Sequence, residues 1–162
     1  MINLVSARIG VIGLGRMGAR VIEAAENIGM DVVGLHDLSP GPFAYTIRPE
    51  LVERHCETLD DLFSHDLDVL AIATTAPSHT SLVEAGIKAG IRRFMVEKPF
   101  CDGVGEGERI LALAAEVGAR IVVNHGRRYH PGYSALTALN GSPEMGELRA
   151  ISVSMGAGGL GC

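Results

Sequence analysis

Ten residues near the amino terminus, Ile9-Gly10-Val11-Ile12-Gly13-Leu14-Gly15-Arg16-Met17-Gly18, constrain this chain more than any other segment. They contain a G-x-G-x-x-G loop, and its surroundings give the spacing meaning. A strand-like run (Arg8 to Ile12) enters the glycines and a helical run (Met17 to Ile28) leaves them. Gly13 lets the chain turn tightly, Gly15 lets the backbone approach a pyrophosphate, and Gly18 lets the helix lie close to the strand. The first turn of that helix offers unpaired N–H groups and partial positive charge to phosphate oxygens. Asp37 ends a second apolar run, Asp31-Val32-Val33-Gly34-Leu35-His36, where a carboxylate accepts both ribose hydroxyls. The residues that follow, Leu38-Ser39-Pro40, hold no arginine for a 2′-phosphate. NAD(H) is therefore expected in preference to NADP(H).

The same alternation continues along the chain. Met17, Val21, Ala24, Ala25 and Ile28 recur at helical spacing, so one face packs on a sheet. Ser39-Pro40-Gly41-Pro42 reads as a turn-rich loop. Thr58-Leu59-Asp60-Asp61 matches a capping box, which predicts a helix start near Leu59. Strands are expected at Asp68 to Ala73, Arg93 to Val96 and Arg120 to Val123, and helices at Ser78 to Ala89 and Glu106 to Val117. Unbroken strand–helix alternation predicts a doubly wound parallel α/β sheet with helices on both faces, a Rossmann architecture.

The pattern changes near Asn124. Residues 1–124 read as a dinucleotide-binding domain and 125–162 as the truncated start of an α+β second domain. A helix is expected over Tyr133 to Leu139. Leu148 to Met155 alternates polar and apolar residues, as a half-buried strand does. A lone strand exposes its edge, so self-association through residues 147–156 is expected unless that segment is disordered.

Composition excludes several classes. A 47% hydrophobic content in 162 residues supports a substantial core, and net charge −5 without a basic block argues against a nucleic-acid surface. No apolar run approaches a bilayer span. Cys56, Cys101 and Cys162 are too widely spaced for a disulfide framework or a zinc site. No metal and a cytoplasmic setting are expected. Met17, Met30 and Met95 sit at core spacing, and Cys101 has no thiolate-activating neighbour in sequence.

Glu97-Lys98-Pro99 follows directly on the strand ending at Val96, which puts Lys98 beside the crevice of a doubly wound sheet. A lysine there can donate to a substrate oxygen. Alone, the tripeptide reads as a surface lysine at a strand end. Together with residues 12–18, Asp37, Thr74-Thr75, His79 and Arg127-Arg128-Tyr129-His130-Pro131, it resembles the glucose–fructose oxidoreductase / inositol dehydrogenase (Gfo/Idh/MocA) family from about residue 8 to residue 156.

The resemblance implies an NAD(P)-binding Rossmann domain. It is followed by a second domain whose open sheet serves substrate binding and homo-oligomer contacts. It implies hydride transfer at a hydroxyl or keto carbon of a sugar, cyclitol or sugar-like substrate. Lys98 would bind substrate oxygen and assist proton transfer, often beside a cis Lys-Pro bond. Gly13, Gly15, Arg16, Met17, Gly18, Asp37, Thr74, Thr75, His79 and Glu97 would surround the cofactor, and Arg128 the substrate. His79 reads equally as a cap or packing residue; His125 and His130 carry no assigned role. Two departures stand out. The family's Thr-Pro pair is Thr74-Thr75 here, with proline displaced to Pro77, and the family's catalytic Asp and His are expected beyond Cys162. A non-catalytic dinucleotide-binding regulatory module is the alternative from another class.

Overall fold

A computed structural model describes residues 6–154, which fall into two compact units divided between Asn124 and His125. The first unit is built on five strands: β1 (Arg8–Ile12), β2 (Asp31–His36), β3 (Val69–Ile72), β4 (Arg93–Glu97) and β5 (Arg120–Asn124). They form one sheet in the order β2-β1-β3-β4-β5, and every pairing is parallel. The helices are α1 (Arg16–Asn27), α2 (Phe43–Ile47), α3 (Leu59–Phe63), α4 (His79–Lys88) and α5 (Val104–Glu116).

A parallel sheet must be covered on both faces, and two apolar layers do this. Ile9, Val11, Val32 and Ala71 pack with Val21, Ile22 and Ala25 of α1 and Ala44 of α2. Ile12, Leu70, Ile72, Phe94 and Val96 pack with Leu62 of α3, Val83 and Ile87 of α4, and Ile110 and Ala114 of α5. The neighbouring strand residues Val11 and Ile12 go to opposite layers, as the two-residue period of a strand requires. The expected Rossmann-type α/β architecture is what the chain forms.

Local signals work where they are self-contained. At α3, Thr58 Oγ1 accepts from Asp61 N–H and the Asp61 carboxylate accepts from Thr58 N–H, each at 3.1 Å, and the helix starts at Leu59. Other boundaries shift by one to two residues. The helix expected from Ser78 starts at His79 after a 3-10 turn, Ala76–Ser78, and α5 starts at Val104 rather than Glu106. Sequence periodicity gave no sign of α2 or of the 3-10 helix Pro49–Arg54. Each is two turns long or less, too short to show a period. Packing makes them: Ala44 is fully buried, and its N–H donates to Leu14 O at 2.9 Å.

The second unit contains a 3-10 turn, Gly126–Tyr129, and α6 (Pro131–Leu139), neither with a buried residue. The helix begins two residues ahead of Tyr133, with Pro131 at its first position and His130 Nδ1 accepting from Gly132 N–H at 3.1 Å. The strand expected from Leu148 is not formed: Leu148–Ser154 has no regular structure. A strand needs a ladder, and no described residue of this unit is a strand. Without that strand, the described residues 147–154 offer no strand edge for the self-association expected through residues 147–156. Met155 and residues 156–162 lie outside the described residues.

Candidate functional site

The carboxyl ends of β1, β2 and β3 converge on the glycine loop. Gly13 has φ +88°, a conformation that side chains disfavour. A Cβ there would lie 2.7 Å from Ala73 C and Thr74 N, so this glycine lets two crevice loops touch. A Cβ on Gly18 would lie 1.9 Å from Gly13 O, so α1 can approach β1 only without one. Gly15 is different: its Cβ would meet nothing within 4 Å, leaving open space beside the backbone. Gly15 is also the N-cap of α1, with no capping side chain and no acidic residue in the first turn. The first-turn N–H groups of Arg16, Met17 and Gly18 thus lack a side-chain acceptor, the arrangement that suits an anion. The Arg16 guanidinium rests 5.8 Å above the centre of the Phe43 ring.

Asp37 follows β2. One carboxylate oxygen accepts from Leu14 N–H at 2.6 Å and the other from Ser39 N–H at 2.7 Å. The first bond ties the acid to the glycine loop; each oxygen keeps a lone pair for a further donor. Asp37 borders a cavity of about 520 Å³ also lined by Gly13, Gly15, His36, Leu38, Leu59, Thr74, Thr75, Ser78 and Leu82. Thr74 and Ser78 hydroxyls share a 2.7 Å hydrogen bond, and Ser78 also donates to Thr75 O. His36, Leu59, Ser78 and Leu82 were not singled out by the sequence. His36 directly precedes Asp37, which is a usable signal; the leucines carry none.

Glu97, Lys98 and Pro99 lie at the end of β4, three strands from β2, or about 14 Å across the sheet. They do not line the cavity beside Asp37. Glu97 is 5% exposed. Its carboxylate accepts from Asn124 Nδ2 at 2.5 Å and from Lys98 N–H at 3.3 Å. Asn124, opposite Glu97 in the β4–β5 register, is a further residue that the sequence does not single out. Lys98 is exposed, and the Lys98–Pro99 peptide is cis. His79 is fully buried, with Nδ1 2.9 Å from Pro99 O and Nε2 3.1 Å from Thr74 O. Its ring is engaged with the backbone of the two loops rather than presented to a ligand. Arg128 belongs to the second unit, on a hollow of about 710 Å³ with Arg127, Tyr133, Ser134 and Thr137.

Two further groups are shaped by their surroundings. Burial, then the charge of Asp37, pushes the Tyr45 phenol up to about 12. Burial also raises the Cys56 thiol. Cys56 and Cys101 are free thiols. Among the described residues no group of three or more metal-ligating side chains is present, and no helix is long and apolar enough to cross a membrane.

Known proteins share this arrangement. The family model described as "Oxidoreductase family, NAD-binding Rossmann fold" matches residues 7–125. An inositol 2-dehydrogenase of Acidothermus cellulolyticus is 31% identical over 140 residues, covering 82% of this chain and 40% of the relative. A D-apiose dehydrogenase of Paraburkholderia graminis is 29% identical, covering 78% and 34%. The solved structure of UDP-N-acetylglucosamine 3-dehydrogenase from Acidithiobacillus ferrooxidans superimposes with a TM-score of 0.73 at 26% identity, over 83% of this chain and 43% of that one. The chain spans about 40% of the length of the curated relatives it matches. With the glycine loop, the acid at the end of β2 and a model match over most of its length, the chain belongs to the Gfo/Idh/MocA oxidoreductase family, through its NAD-binding Rossmann fold.

Proposed function

We propose that the chain supplies the dinucleotide-binding half of an NAD(H)-dependent oxidoreductase. The enzyme would act on a hydroxyl or keto carbon of a sugar, cyclitol or sugar-like substrate. One observation carries the reading: the Asp37 carboxylate is bonded to Leu14 N–H of the glycine loop, so a ribose acceptor and a phosphate cradle share one cavity. The residues fit the group. The uncapped first turn of α1, open space at Gly15 and lone pairs left on Asp37 are what a pyrophosphate and a ribose diol need.

Bound there, the nicotinamide supplies the hydride chemistry. The chain's residues supply placement. Gly13 makes the turn, Gly15 and the N–H groups of Arg16, Met17 and Gly18 hold phosphate oxygens, and Asp37 accepts from the ribose hydroxyls. Thr74 and Thr75 wall the crevice, and Glu97 accepts a hydroxyl at the far end. Lys98 donates a hydrogen bond to the substrate oxygen and moves its proton, steadying the oxygen as its charge changes. Arg128 binds substrate. The ring-bearing substrates in the relatives' names support a polyol or sugar. The free thiols of Cys56 and Cys101 support a reducing compartment such as the cytoplasm.

Calorimetric titration of the chain tests the reading. NAD⁺ binds more tightly than NADP⁺, and Asp37→Ala narrows the gap by weakening NAD⁺ and relieving repulsion of the 2′-phosphate. NADP⁺ binding equal to or tighter than NAD⁺ overturns it. In a protein spanning the relatives' full length, Lys98→Ala lowers kcat about 10²–10³-fold with NAD⁺ affinity unchanged. Dinucleotide binding with no turnover of any polyol or sugar there assigns a regulatory role instead.

A further inference from the structure

We infer that His36 reads the base of the dinucleotide, its Nε2 accepting a hydrogen bond from a purine 6-amino group. His36 ends β2, one residue before Asp37, and is 7% exposed. Its Nδ1 lies 2.8 Å from Cys56 O. A carbonyl only accepts, so Nδ1 carries the hydrogen, and the neutral ring leaves Nε2 with a bare lone pair.

The ring is held in place from behind. The His55 ring stacks on it at 6.4 Å and 18°, and His55 Nδ1 is hydrogen-bonded to the Tyr45 hydroxyl at 2.8 Å. Nε2 has no hydrogen-bond partner among the described residues, yet it is not sealed in the core. The buried side-chain polar atom left without a partner there is Arg8 Nε. His36 lines the cavity beside Asp37, whose other walls include Leu38, Leu59 and Leu82 on the apolar side and Thr74, Thr75 and Ser78 on the polar side. An acceptor set beside the apolar side chains of Leu38, Leu59 and Leu82 suits a flat heterocycle that carries a donor. The inference rests on the proposed reading that Asp37 holds the ribose, because the base then projects from that ribose into the same cavity. Adenine offers a 6-amino donor to Nε2. Hypoxanthine offers a 6-oxo acceptor and leaves two lone pairs opposed, a mismatch that a buried polar site rejects.

Calorimetry of the full chain with NAD⁺ and with nicotinamide hypoxanthine dinucleotide tests this. The wild-type chain prefers NAD⁺ by about tenfold or more. His36→Asn keeps a donor where Nδ1 meets Cys56 O but has no acceptor at the Nε2 position, so the preference falls to about one. His36→Gln can turn its carboxamide oxygen to the Nε2 position and restores the preference. The ratio separates reading from loosening, because a general loss of order weakens both dinucleotides alike. Equal binding of the two by the wild-type chain overturns the inference, as does His36→Asn with the wild-type ratio. If His36→Asn fails to fold, the wild-type ratio together with His36→Gln still decides: a wild-type preference that Gln abolishes rejects the acceptor role. If the wild-type chain binds neither dinucleotide, the dinucleotide reading itself fails, a result distinct from equal binding.

Discussion

Residues 7–124 and residues 125–154 leave their apolar side chains in opposite states. In the first unit, Leu14, Leu35, Leu62 and Leu70 are fully enclosed. In the second, Tyr133, Leu136, Leu139, Leu148, Ile151 and Val153 are all between 42% and 72% exposed. The second segment is the less apolar of the two, and it also lacks layering. A sheet with helices on both faces gives every apolar side chain a facing surface. A nine-residue helix and an extended segment give none. Folding free energy therefore concentrates in the first unit, and so does the precision a ligand site requires.

The largest expected effect tests that concentration at the glycine loop. Gly18→Ala puts a Cβ where Gly13 O stands, 1.9 Å away, so backbone must move. We expect a loss above about 3 kcal/mol and no measurable NAD⁺ binding. Gly126→Ala in the second unit meets nothing within 4 Å and should change stability by less than about 0.5 kcal/mol. Chemical denaturation and calorimetry read both. A Gly18→Ala chain that melts and binds like wild type removes the close helix–strand approach from the account.

Apolar truncations sharpen the same contrast. Leu70 in β3 is fully buried, and Leu70→Ala should cost about 2–5 kcal/mol. Leu136 in α6 is 63% exposed, and Leu136→Ala should cost under about 0.5 kcal/mol. Hydrogen exchange gives an independent view: amides of β1, β3 and β4 should exchange only by global unfolding, those of α6 far faster. Equal protection of α6 and β3 would break the comparison.

This contrast also explains which parts were legible in sequence. The glycine spacing, the Thr58–Asp61 capping box and the five apolar strand runs are local signals whose meaning does not depend on distant residues. They located the sheet, the α3 start and the fold class. The α2 segment is helical because Ala44 is buried and its N–H meets Leu14 O, contacts no local window contains. Leu148–Ser154 failed in the reverse sense. Its alternation is a capacity to be a strand, and a strand forms only against another strand. Asn124 escaped notice because its partner, Glu97, is brought opposite it only by the β4–β5 register.

Asn124 stands at the boundary of the two units, so its effect should be intermediate and directional. Asn124→Ala removes the side-chain donor to buried Glu97, a loss of about 1–3 kcal/mol at an unsatisfied carboxylate. If Glu97 serves the far end of the dinucleotide, NAD⁺ should weaken about three- to tenfold. ADP should be unaffected, because β2 and β4 are separated by about 14 Å of sheet. Equal weakening of NAD⁺ and ADP would show that Asn124 supports the sheet generally rather than Glu97.

The smallest effect is electrostatic. Glu26 in α1 accepts from Arg48 at 2.6 Å and Arg54 at 2.8 Å, joining the helix to the Phe43–Arg54 segment. The hydrogen bond from Arg48, opposed by burial, holds its carboxyl below the ordinary 4.5. A depressed folded value means the stabilisation is present above 4.5 and is lost as pH falls through the folded value. The pair is partly exposed, so its worth is about 0.5–1 kcal/mol at most. Glu26→Gln should lower stability by that amount at pH 7 and by nothing at pH 2, with the pH 7 difference shrinking in 1 M salt. Glu144 in the second unit is also held low, by its own backbone N–H and the Ser142 hydroxyl, but it is fully exposed. Its interactions are local to a turn and join no packed layers, so Glu144→Gln should leave the sheet's urea midpoint unmoved at either pH. A shift of that midpoint with Glu144→Gln, or none with Glu26→Gln at pH 7, would mean that the two units do not divide the chain's stability as their packing implies.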